Sequence, residues 1–143
     1  MIFNPSRDQV RRFFIDAWTL RQQGGMPLTA LQTMATDIVE LHPEYHALLE
    51  QGDAALSREW TPEQGETNPF LHLSLHLSIA EQLSIDQPPG IRAAQAALQA
   101  RLGDAHAALH QMLECLAEAL WQAQRHGGAP DAAAYLDCLR RRV

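Results

Sequence analysis

Apolar positions along this chain recur at spacings of three and four, and Pro, Gly and small polar residues punctuate them at helix-sized intervals. That pattern predicts a series of amphipathic helices. Ser6 is placed to cap a helix running to about Gln23, with Phe13, Phe14, Ala17, Trp18 and Leu20 as its apolar stripe and Gly24-Gly25 as its stop. Thr29 caps a second helix, carried by Leu31, Met34, Ile38 and Leu41. Pro43 breaks that helix and suits the first turn of a third, from Glu44 to Gln51. Residues 52–67 have no period and contain Trp60, Pro62 and Gly65, so they read as a loop. Its neighbouring acids Glu59, Glu63 and Glu66 suit an ordinary surface loop or, alternatively, a lid. Asn68-Pro69 then starts a helix that Gln87-Pro88-Pro89-Gly90 ends. Ile91 to Leu102 is Ala-rich and helical, Gly103 interrupts it, and Asp104 caps a long helix to about His126. Pro130 opens a last helix that ends in Arg140, Arg141 and Arg142, a cluster that reads as solvated.

One segment is ambiguous by period alone. Leu71 to Ile79 alternates apolar and polar residues strictly, which is a strand pattern. Three features favour a helix instead: the residues are Leu and Ala rather than β-branched, Asn68-Pro69 is a helix start, and no second strand candidate exists to pair with it. As a helix, the segment puts Phe70, Leu73 and Leu77 on one side and Ile79 and Leu83 on another, with Leu71 and Leu75 between. A helix that is apolar all round belongs in the middle of a bundle. The expected fold is therefore all-α: a compact single-domain bundle of about six or seven helices spanning 1–143, with an apolar helix 69–86 at its centre.

Composition supports helices and removes several chemistries. The chain is rich in Ala and Leu, and its eleven cationic residues are all arginine. Without lysine there is no Schiff-base residue, no P-loop lysine and no pyridoxal attachment point. A net charge of −6 and a pI near 5.5 argue against nucleic acid as a partner. No apolar run has signal-peptide or membrane-spanning length, so the expected location is cytoplasmic, with no membrane partner. The two cysteines, Cys115 and Cys138, show no CxxC spacing, and the reading expects neither a disulfide nor a thiolate metal site.

Candidate chemistry lies with seven histidines, six of them in three i, i+4 pairs. A buried imidazole needs a hydrogen bond, a partner or a metal, because an unsatisfied polar group in a core costs about 1–3 kcal/mol. His72 and His76 share one stripe of the apolar helix and can present two ring nitrogens to one ion. In the helix after Asp104, His106, His110, Glu114 and Glu118 recur every four residues, and His110-xxx-Glu114 repeats that spacing with a carboxylate. His42 and His46 flank Pro43, again four apart. The strongest metal-ligand candidates are His72, His76, His110 and Glu114, followed by His46, with His42, His106 and Glu118 behind them. Imidazole plus carboxylate suits a transition metal, iron or zinc first. The spacing predicts a His/Glu site between helices 69–86 and 104–126. The alternative is a metal-free protein-interaction module or homodimer in which His72 and His76 are core polar groups and His42, His106 and His126 are solvated. The residues name no substrate, no catalytic group and no reaction, and the HxxxH and HxxxE spacings match neither ferritin-like nor zincin patterns.

Several segments are familiar as a set. Asn4-Pro5-Ser6-Arg7, His42-Pro43-Glu44-Tyr45-His46, the run from Gly65 to Leu77, Glu81-Gln82, Ile85 to Ile91, Met112 to Leu116, Trp121 to Arg125 and Pro130-Asp131 resemble a bacterial family of uncharacterised proteins, domain of unknown function 1841. The stretch from Gly65 to Ile91 is the most specific part. The resemblance implies a small single-domain cytoplasmic bacterial protein and supplies no activity.

Overall fold

Capping chemistry sets where the helices begin. In the structure, a computed structural model that describes residues 6–60 and 68–143, Ser6 and Thr29 each form a capping box with the glutamine three residues on, Gln9 and Gln32. They open α1 (Arg7–Gln23) and α2 (Ala30–Glu40). A 3-10 turn at Pro43–Tyr45 leads into the short α3 (His46–Glu50), and a second 3-10 turn follows at Gly52–Leu56. Then come α4 (Pro69–Ile85), α5 (Ile91–Leu102), α6 (Ala105–His126) and α7 (Ala132–Arg141). Gly103 and Gly127 adopt left-handed conformations that end α5 and α6, as helix-stopping glycines should. The fold is all-α, with seven α-helices and no strand among the described residues. The Leu/His alternation of 71–79 is helical, as its Leu content and Asn68-Pro69 start predict. Asn68 Oδ1 accepts the N–H of Phe70 at 2.9 Å. No helix among the described residues is long and apolar enough to cross a membrane.

The helices group into two units, Met1–Leu77 and Ser78–Val143, with the division inside α4. In the first unit α1 packs on α2 and α3, burying Phe14, Ala17, Trp18, Ala35, Val39 and Leu49 almost completely. Arg11 is buried with them, only 2% exposed. Its Nη1 donates to the carbonyls of Ala55, Leu56 and Arg58 at 3.1, 3.0 and 2.7 Å. The guanidinium carbon lies 5.1 Å from the ring centres of both Trp60 and Phe70. Arg7 adds an ion pair to Glu59 at 2.6 Å, and Arg12 one to Asp53 at 3.0 Å. Part of the expected loop is thus ordered by cations on α1: residues 52–56 form a 3-10 turn whose orphan carbonyls are taken up by Arg11. Glu63 and Glu66 lie outside the described residues.

In the second unit α5, α6 and α7 pack pairwise. Asp86 and Arg92 tie α4 to α5 reciprocally. Asp86 accepts the N–H of Arg92 at 3.0 Å and of Gly90 at 3.5 Å, and Arg92 donates to the carbonyls of Leu83 and Ser84 at 2.7 Å each. Three expectations need correction here. Cys115 and Cys138 form a disulfide across α6 and α7; spacing could not reveal it, because the two helices must first fold back on each other. Arg142 is not simply solvated: it pairs with Glu114 and donates to Gln111 Oε1 at 2.7 Å. Finally, α4 is not covered on every side, for Leu71 and Ile85 are 56% and 65% exposed.

Candidate metal centre

The end of α2 sets up the site. His42 precedes a proline, which disfavours helical backbone, and it adopts φ −128°, ψ 66°. This turns its ring back onto α2, where Nδ1 lies 2.8 Å from the carbonyl oxygen of Ile38. A carbonyl only accepts, so Nδ1 carries the hydrogen. In the neutral ring Nε2 then presents a lone pair. The ring also stacks on Tyr45, with planes within 6° and centres 5.6 Å apart. Burial, and then the neighbouring Glu44, raise the Tyr45 phenol above its usual pKa.

Helix α4 supplies the rest. His72 and His76 lie one turn apart on one stripe, with ring centres 4.8 Å apart. Their rings lie 5.0 and 4.7 Å from that of His42, all three edge to face. Nε2 of His72 is 3.2 Å from Nε2 of His42. A ligating nitrogen of each of the three histidines lies within 4.8 Å of the others. His42 and His76 are 3% exposed and His72 is half-buried. The arrangement is three converging imidazoles, one with its tautomer fixed by a backbone carbonyl. That is the usual outer-shell device of a metal-binding histidine.

His72 and His76 come together as their spacing predicts. His42, ranked behind His46 and read as solvated in the metal-free alternative, is instead buried and joins them. His46 points elsewhere: its Nε2 bonds the Val39 carbonyl at 2.9 Å, and its ring lies 4.6 Å from Trp18. The i, i+4 reading of His42 and His46 assumes a continuous helix, and Pro43 interrupts it. In the second unit His110 and His106 are neighbours on α6, ring centres 4.2 Å apart, while the carboxylate of Glu114 is engaged by Arg142. Glu118 accepts from Gln122 at 3.0 Å.

Among known families, the chain matches the model described as Domain of unknown function (DUF1841), over residues 6–141. No curated protein and no solved structure matches it.

Proposed function

We propose that this chain, which belongs to the DUF1841 family, binds a divalent transition-metal ion through His42, His72 and His76. The observation that carries this reading is the 3.2 Å approach of the two Nε2 atoms of His42 and His72. Two nitrogens bound to a tetrahedral zinc at 2.0–2.1 Å are separated by about 3.3 Å. An all-nitrogen donor set favours zinc or iron over the hard cations magnesium and calcium. Three imidazoles leave coordination positions for water or a small molecule, and a water held there would be a nucleophile near neutral pH.

The metal-free alternative also has an observation in its favour. With Nδ1–H of His42 given to Ile38, a neutral His72 can donate Nε2–H to His42 Nε2 at the same 3.2 Å. The three rings would then be a hydrogen-bonded core element of an interaction module.

Zinc and iron analysis of protein purified without a histidine tag, with calorimetric zinc titration of His42→Ala, His72→Ala, His76→Ala and His110→Ala, separates the two. One tightly bound equivalent is expected in the wild type, with affinity falling by about 100-fold or more when a first ligand is lost. An unchanged affinity in His110→Ala removes that residue from the ligand set. Substoichiometric metal and no tight binding in the wild type would overturn the proposal.

A further inference from the structure

The second unit holds a feature independent of the histidines. A cavity of about 540 Å³ opens between α6 and α7, and both sulfurs of the Cys115–Cys138 disulfide belong to residues in its wall. On the α6 side the small side chains of Ala119 and Ala123 leave room, between the longer polar side chains of Glu118, Gln122 and His126. A disulfide that merely braces two helices is ordinarily sealed by packing. This one faces a cavity of the size that holds a small ligand. Its two halves are unequal: Cys115 is 1% exposed, whereas Cys138 is half-buried. The rim carries both signs of charge, Glu118 and Asp131 against Arg141.

We infer that this cavity is a thiol–disulfide exchange site for a small zwitterionic peptide thiol. The thiolate of the ligand attacks Sγ of Cys138, the less buried of the two cysteines, and forms a mixed disulfide there. The Cys115–Cys138 bond breaks with its electron pair on Cys115 Sγ, which takes up a proton from solvent. A second thiol then attacks the ligand's sulfur in the mixed disulfide and leaves Cys138 reduced. The protein disulfide gains two electrons and two protons, and two ligand thiols become one ligand disulfide. Charged ends of the ligand meet the rim, and its apolar body fills the space over Ala119 and Ala123.

The test uses glutathione as the probe, with the folded full-length chain and intact-mass spectrometry after acid quenching. Wild-type protein is expected to pass through a one-glutathione adduct at Cys138 to the dithiol while its helical circular dichroism persists. Cys115→Ser, incubated with oxidised glutathione, should form the adduct at Cys138 at least about tenfold faster than Cys138→Ser forms it at Cys115. Ala123→Leu, which fills the cavity without touching either sulfur, should slow exchange in otherwise intact protein. Three results would each overturn the proposal: a disulfide reduced only after unfolding, an adduct found first on Cys115, or exchange indifferent to Ala123→Leu.

Discussion

Arg11→Ala removes a cation that three backbone carbonyls and two aromatic rings surround. Nη1 has two hydrogens and three acceptors, at 3.1, 3.0 and 2.7 Å, so the set counts as two full charge-assisted bonds. At about 1.5–3 kcal/mol each these give about 3–6 kcal/mol, and each ring contact at 5.1 Å adds about 1 kcal/mol. Against this stands the relief of desolvating a buried charge, and water can reach some of the freed carbonyls. The expected net loss is about 3 kcal/mol, a large share of the 5–15 kcal/mol that typically holds a domain together. Urea unfolding followed by tryptophan fluorescence reads it directly, because Trp18 and Trp60 both lie in the first unit. The midpoint should fall by about 1 M or more at unchanged slope. Arg11→Lys should recover less than half of the loss, since a compact ammonium has no plane to lay against Trp60 and Phe70. Phe70 sits in the first turn of α4, one residue from Leu71 and two from His72, so zinc affinity should weaken in the same variant. An alanine cost below about 1 kcal/mol, or full recovery by lysine, would mean that the guanidinium does not hold this turn.

Two further variants test single side chains. His46→Ala should lose about 1–2 kcal/mol through the Val39 bond and the Trp18 contact yet keep the zinc stoichiometry of the wild type; loss of zinc would place His46 in the site. Asp86→Asn tests the α4–α5 tie through pH. The Arg92 N–H bond is the chief cause holding the Asp86 carboxyl below the usual carboxylate range, with the Gly90 N–H adding to it. A carboxyl lowered in this way stabilises the fold at pH values above its unfolded pKa, about 3.9, and the contribution is lost as pH falls through the lower folded value. The stability difference between wild type and Asp86→Asn should therefore shrink from about pH 7 to about pH 3. A difference that stays constant over that range would rule out the charge as its source.

Local chemistry made the helices legible. Ser6, Thr29 and Asp104 each satisfy the amides of their own first turn, and such signals sit within four residues of one another. The His72/His76 pair was equally readable, because one helix fixes both rings. What sequence could not show were partners set by tertiary structure. His42 reaches His72 at a sequence separation of 30, and the break at Pro43 turns it inward while His46 turns toward Trp18. Arg11 finds its carbonyls more than forty residues downstream. Apolar spacing in α2 marks the helix but misplaces part of its face: Val39 is fully buried, whereas Leu41, the C-cap just past the last helical residue, is 58% exposed.

The bridge between α6 and α7 also decides how load would travel through the chain. Tension applied at Val143 leaves α7 at Cys138, crosses the sulfur bond and enters α6 at Cys115, a separation of 23 residues in sequence. The turn at Gly127 and the first half of α7 are bypassed. Roughly 80 Å of extended backbone is locked out of any stretching while the bond is closed, and it becomes available when the two sulfurs part. The C-terminal end of the protein is, in mechanical terms, a loop with a chemical latch.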